Sequence, residues 1–300
     1  VTVLLMLLLA GLAAEAAPPE PANLHLASVN AAVALAGNDE LLYDKNADRV
    51  VPIASVTKLM TALVVLRSGQ PLDEWLTFLP RHREAPNNAY TRIRQGSELR
   101  RRDIIRIALM SSENFAAYTL ARHFPGGYDG FVASMNATAR ELGMTSTTFV
   151  DPTGLSPLNR ATAADLVRLV NAALEYPEIG EFSTTGYFTA RFRKPRYDLA
   201  YGNTNVLVHR DSWGVGLSKT GYLSEAGRCL VMVSGMADQQ VVTVLLDSFG
   251  TRSPLGDAGR VKRWLTTGSS GQVAGAAKAY EQRRNAAYAS SADVEHAAVN

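Results

Sequence analysis

The sequence predicts an α/β chain of the α+β kind: an antiparallel sheet flanked by helices, with a helical subdomain inserted at about residues 80–160. Three observations carry this. Between 55 and 175, apolar residues recur at helical spacing in one segment after another. Between 206 and 247 they gather instead into short strand-like runs separated by turn residues. Near the start, the apolar segment 29–43 is broken by Gly37-Asn38-Asp39, the signature of a hairpin. Three hundred residues, 47% hydrophobic and 19% charged, are enough to bury a substantial core. A net charge of +2, with no stripe of Lys or Arg, gives nucleic acid no purchase; Arg100 to Arg102 and Arg283-Arg284 read as solvated helix faces.

In chain order, residues 1–11 are an apolar run, followed by Ala14-Glu15-Ala16 and Pro18-Pro19. Residues 1–17 read as a secretory signal peptide with a small-x-small cleavage site, truncated at its start because neither an initiator Met nor a basic region precedes it. The run is short for a bilayer span, so export to the periplasm is expected. A helix is expected over 55–66, ended by Gly69 and Pro71, and 81–95 reads as loop. Further helices are predicted at 99–110, 114–123, 130–142 and 163–175, strands at 206–208, 214–219, 229–234 and 241–247, and a last helix at 256–265. The peptidase-like body thus occupies 26–265. Residues 266–300, rich in Ala, Gly, Ser and charge, show no core-forming face and are expected to be a flexible or partly helical tail. Cys229 is the sole cysteine, which excludes an intramolecular disulfide, and its apolar surroundings mark it as a small buried hydrophobe.

Three short motifs bear chemistry. Ser55 and Lys58 lie one helical turn apart, on one face. A serine hydroxyl is a poor nucleophile until a neighbouring base takes its proton, and a lysine becomes such a base when burial or a nearby cation lowers its pKa. The plainer alternative, a helix cap beside a solvated lysine, fits less well, because a capping box wants Glu or Gln at position 58. Lys219-Thr220-Gly221 sits on a predicted strand, where a cation and a hydroxyl suit a substrate carboxylate and the glycine admits a close backbone. Alone it is equally a surface turn. Ser112-Glu113-Asn114 lies between two helices; its hydroxyl can relay a proton and its amide can bind a peptide group. Ser-x-Asn also occurs at Ser28 and Ser134, and the Ser112 copy is preferred for its interhelical position between the other two motifs.

Together and in this order the motifs resemble those of the penicillin-binding protein and serine β-lactamase superfamily. The block from Phe149 to Ser156, the later Asp165, Asn203-Thr204-Asn205, and the run Gly221 to Arg228 resemble the low-molecular-mass D-alanyl-D-alanine peptidases. The resemblance implies a β-lactamase/transpeptidase-like fold and assigns roles. Ser55 would be the acylated nucleophile, Lys58 its base, and Ser112 the relay to the leaving amine. Asn114 would hold the substrate amide, and Lys219, Thr220 and Gly221 its carboxylate end. The backbone N–H groups of Ser55 and Tyr222 would form the oxyanion hole. Glu113 departs from the usual Asp and is expected to point away. The absence of a Glu-x-x-Leu-Asn motif before Asp165 implies that penicillin stays attached as a covalent inhibitor.

The short stretch after Leu265, too small for the β-rich C-terminal domain of many carboxypeptidases, makes the chain most similar to the endopeptidases that cut peptidoglycan cross-links. A carboxypeptidase, a β-lactamase and a non-catalytic wall-binding or β-lactam-sensing module are the alternatives. Peptidoglycan peptide and β-lactams are the partners implied; loose association with the membrane or a wall complex stays open. Neither a metal nor a cofactor is implied: the five histidines are scattered, with no His-Glu-x-x-His and no paired cysteines.

Overall fold

The computed structural model describes residues 19–83 and 89–299, so the signal-peptide segment lies outside the described residues. Strands β1 (Ser28–Leu35) and β2 (Leu41–Lys45) form the expected hairpin. A short strand β3 (Val51–Pro52) leads into a 3-10 turn (Ala54–Thr57) and helix α1 (Lys58–Arg67). Strands β4 (Trp75–Thr77) and β5 (Glu98–Arg100) pair, and helices α2 (Arg101–Met110), α3 (Asn114–Arg122) and α4 (Gly127–Glu141) follow. Strand β6 (Arg160–Ala161) pairs with β3, and helices α5 (Ala163–Leu174) and α6 (Pro177–Ser183) precede the hairpin β7 (Tyr187–Phe192) and β8 (Tyr197–Gly202). The chain closes with β9 (Val215–Leu223), β10 (Gly227–Met236), β11 (Gln239–Ser248), and helices α7 (Ser253–Thr267) and α8 (Gly275–Val299).

The main sheet is antiparallel, ordered β2-β1-β11-β10-β9, and both of its faces are covered. Alternation along each strand shows this. On β10, Cys229, Val231 and Val233 join the larger core shared with helices α1 to α5, while Leu230, Met232 and Met236 face α7 and its buried Trp264. Val242, Val244 and Leu246 on β11 likewise alternate with Val241 and Leu245. A sheet buried on both sides has no polar face, which is why these strands read as continuous apolar runs. Edge strand β9 carries Lys219-Thr220-Gly221.

The structure departs from the sequence reading at several elements. Residues 206–208 form a 3-10 turn (Val206–His209) rather than a strand, because the Asn205 side chain accepts a hydrogen bond from Leu207 N at 3.0 Å and curls the backbone. The hairpin β7–β8 has no counterpart among the predicted elements, although Phe188, Ala190 and Phe192 on one strand and Tyr197, Leu199 and Tyr201 on the other alternate with more exposed neighbours. The stretch after Leu265, expected to be a flexible or partly helical tail, does carry a helix, α8, but one docked on the body through Asp247.

Helix α8 is held by polar groups. Asp247, fully buried on β11, accepts from Tyr280 Oη (2.6 Å), Arg284 Nε (2.6 Å) and Tyr288 Oη (2.7 Å). Arg284 also donates to the Glu225 carbonyl in the β9–β10 turn at 2.7 Å, and Glu281 pairs with Lys45 at 2.9 Å. Replacing Arg284 with Ala leaves a buried carboxylate without its cation, an effect on the order of 3 kcal/mol. We expect the urea midpoint of Arg284→Ala to fall accordingly; an unchanged midpoint would show that α8 does not dock through Asp247.

Candidate active site

Ser55 lies in the 3-10 turn that precedes α1, not in the helix proper, and Lys58 is the first residue of α1. The turn is forced by Ala54, whose φ of 48° puts a non-glycine residue in the left-handed region. Gly154 explains how that conformation is held. A Cβ there would stand 2.0 Å from the Ala54 carbonyl oxygen and 2.9 Å from Ser55 N, so only glycine lets the 151–156 loop press on the Ser55 backbone. From the other side Gly221 of β9 does the same, its imagined Cβ falling 3.2 Å from Ser55 N. Ser55 is thus clamped between a loop and a strand edge.

Lys58 is fully buried, and its Nζ reaches Ser55 Oγ at 2.9 Å, Asn114 Oδ1 at 2.8 Å and the Thr153 carbonyl at 2.5 Å. Three acceptors suit an ammonium. A neutral amine keeps two of them, Asn114 and Thr153, and turns its lone pair to the Ser55 hydroxyl. Burial pushes the Lys58 pKa down to about 7, against the opposing fields of Asp151 and Glu113. The amine is therefore poised to change protonation near neutrality.

The loop that supplies the Thr153 carbonyl is built by Asp151. One of its oxygens accepts from Thr153 N (2.6 Å), Thr153 Oγ1 (2.5 Å) and Gly154 N (2.8 Å), and the other from Ser156 N (3.0 Å). Asn159, fully buried, ties this loop to the 3-10 turn by donating to Thr57 Oγ1 at 3.1 Å and to the Asp151 carbonyl at 2.8 Å. Neither Asp151 nor Asn159 is among the site residues expected from sequence. The only signal for them is their membership of the 149–156 block and its neighbourhood.

Ser112, with φ of 60°, is a second strained non-glycine residue, in the corner between α2 and α3. Lys219 Nζ donates to Ser112 Oγ at 3.0 Å and to the Thr220 carbonyl at 2.7 Å. Lys219 is almost fully buried behind the cleft wall, and burial, then the nearby Lys58, push its pKa well below the usual lysine range. Thr220 faces the cleft, its Oγ1 sharing a hydrogen bond of 2.6 Å with Thr204 Oγ1. Glu113 caps α3, accepting from Phe115 N at 3.1 Å; burial raises its pKa. The other two Ser-x-Asn copies are structural. Ser28 donates to Asp257 at 2.6 Å, and Asn136 clamps the backbone of Phe149 with bonds of 2.7 and 2.9 Å.

The three motifs thus meet, although Lys58, Asn114 and Lys219 lie 56 to 161 positions apart in sequence. A cleft of ≈ 500 Å³ opens onto Ser55, Ser112, Asn114, Thr220, Gly221 and Tyr222, and reaches Arg228 on β10 and Leu255 on α7. A hydroxyl beside a poised amine, with a second lysine–serine pair next to it, is an arrangement for proton transfer during acyl transfer.

The sequence model of the family described as D-alanyl-D-alanine carboxypeptidase matches residues 16–250. A Pseudomonas aeruginosa protein named D-alanyl-D-alanine endopeptidase is 46% identical over 277 residues, covering 91% of this chain and 89% of its own. An Escherichia coli protein of the same name is 44% identical over 261 residues, covering 87% and 84%. Among solved structures, the Streptomyces K15 DD-transpeptidase is similar with a TM-score of 0.73 at 27% identity, over 78% of this chain and 95% of that one. Penicillin-binding protein D2 from Listeria monocytogenes, in its cefotaxime-bound form, is similar with a TM-score of 0.67 at 32% identity, over 79% and 96%. The fold is therefore of the β-lactamase/transpeptidase-like class that the sequence resembles.

Proposed function

Because the chain belongs to the D-alanyl-D-alanine carboxypeptidase family and is a serine-type hydrolase, we propose that it is a D-alanyl-D-alanine endopeptidase that opens peptidoglycan cross-links in the periplasm. The observation that carries this is Lys58, buried and within 2.9 Å of Ser55 Oγ with a pKa near 7. Ser55 Oγ attacks the carbonyl of the scissile D-alanine while Lys58 takes its proton. The oxyanion is met by the N–H groups of Ser55 and Tyr222, one such donor commonly contributing about 3 kcal/mol. As the tetrahedral adduct collapses, Ser112, steadied by Lys219, passes a proton to the departing amine, and a serine ester remains. Water then adds to that ester and restores the Ser55 hydroxyl. Asn114 holds the substrate amide, and Thr220, backed by Lys219, receives the carboxylate next to the scissile bond. A β-lactam would acylate the same serine and remain attached.

The relatives named endopeptidase favour cross-link cleavage, whereas the family description favours removal of a terminal D-alanine. Product analysis separates the two. Purified cross-linked dimers and linear pentapeptide muropeptides are incubated with the protein, and products are followed by mass spectrometry. We expect dimers to be converted to monomers with little D-alanine released from pentapeptides. Faster release of D-alanine than loss of dimers would make it a carboxypeptidase.

A further inference from the structure

Among the described residues that line the catalytic cleft, Arg228 is the one charged residue. It stands opposite Tyr222 in the β9–β10 register, and cross-strand partners share a face of the sheet. Its guanidinium lies over the Tyr222 ring, 3.9 Å from the centroid, and the tyrosine itself is half-exposed. Other arginines answer carboxylates, as Arg101 does Glu74 and Arg106 does Glu181, or stack on tyrosines away from the cleft, as Arg92 and Arg94 do. Among the described residues Arg228 has no ion pair. Stacking on an aromatic face holds a guanidinium in place while leaving the N–H groups on its edge free to fork onto a carboxylate.

The polarity of the bound peptide decides which part of it Arg228 meets. In the proposed reaction the carboxylate beside the scissile bond lies at Lys219 and Thr220, and the attacked carbonyl lies at Tyr222 N–H. The substrate therefore runs antiparallel to edge strand β9, as added strands do. Its residues on the N-terminal side of the scissile D-alanine extend past Tyr222, towards the level of Arg228. Tyr222 is two residues beyond Thr220, a separation of about 7 Å along a strand.

We propose that Arg228, stacked on Tyr222, is an anion subsite for a carboxylate carried by the acyl-donor part of the substrate, separate from the carboxylate at Lys219. This rests on the acyl-enzyme reading above and extends it to substrate choice. A donor peptide or β-lactam with a carboxylate in its acyl portion is captured in preference to a neutral one.

Two penicillins that differ by one side-chain carboxylate test this: benzylpenicillin and carbenicillin. Second-order acylation is measured for the native protein, Arg228→Gln and Arg228→Lys. We expect Arg228→Gln to lower the carbenicillin rate roughly tenfold relative to benzylpenicillin, the effect of losing one charged hydrogen bond at a partly exposed site. Arg228→Lys should keep part of the preference, since it retains charge without the planar fork. The preference of the native protein should also shrink in high salt. Equal losses for both penicillins would place Arg228 on the carboxylate they share and overturn the proposal, as would no change for either. Failure of the native protein to be acylated by both would instead sink the acyl-enzyme reading on which the subsite rests. A thermal melt of each variant serves as the check that it is folded.

Discussion

A Ser55→Ala variant should take up no fluorescent penicillin, a loss of at least about 10³-fold in acylation, while melting close to the native protein. The hydroxyl is the atom that would become the ester oxygen, and Lys58 stands 2.9 Å from it. Ser112 is the nearest competitor, but the lysine that reaches it also donates to the Thr220 carbonyl and sits behind the wall of the cleft. The fold should tolerate the change. Ser55 is in a 3-10 turn, is only half-buried, and gives up a single hydrogen bond, that with Lys58. The turn is fixed by Gly154 and Gly221 rather than by the serine side chain. The measurement is gel fluorescence at saturating probe together with a thermal melt. Stoichiometric covalent labelling of a folded Ser55→Ala protein would assign the nucleophile elsewhere.

How much of this was legible in the sequence depends on the range of the interactions. The helices α2 to α5 follow from local periodicity, because each buries a face that its own spacing defines, and the strands β9 to β11 from short apolar runs bounded by turn residues. The three motifs are legible as residue types, and their order carried the resemblance. What the sequence does not display is the support around them. Lys58 finds its third acceptor 95 positions away, on a carbonyl whose residue type is irrelevant to the bond. Asn159 reaches across 102 positions to Thr57. Ala54 and Ser112 adopt left-handed backbone that their side chains disfavour, so local rules point away from the observed conformation at both sites. Helix α8 was hidden for a related reason: its anchor is a single buried carboxylate that meets one arginine and two tyrosines, not an apolar stripe.

The relation between the two buried lysines also departs from expectation. A reading from motifs makes Lys219 a permanent cation that holds the Lys58 pKa down. In the structure, Lys58 is felt at Lys219, yet the depression of Lys58 is due to burial alone, with Asp151 and Glu113 opposing it. Burial and the nearby Lys58 both disfavour the charged form of Lys219, and a substrate carboxylate arriving at Thr220 favours it, so Lys219 matters as a cation chiefly in the complex.

The burial of Lys58 fixes the outcome of the pH experiment. If Lys58 must be neutral to accept the Ser55 proton, second-order acylation by penicillin rises with pH and levels off above the pKa of the free enzyme. With that pKa lowered to about 7, the half-maximum should fall near pH 7 rather than near the ordinary lysine value. Lys219→Ala should lower the plateau by weakening capture of the carboxylate, yet move the midpoint little, since burial of Lys58 sets it. Lys219→Arg should lose less than Lys219→Ala, because it keeps a cation while changing its shape. Lys58→Arg introduces a guanidinium that does not deprotonate in this range, into a site with no exposed surface. It should acylate about as poorly as Ser55→Ala at every pH, with no rising limb left to measure. Near-normal acylation by Lys58→Arg, or a native midpoint several units above 7, would remove Lys58 from the proton path and leave Ser55 without its base.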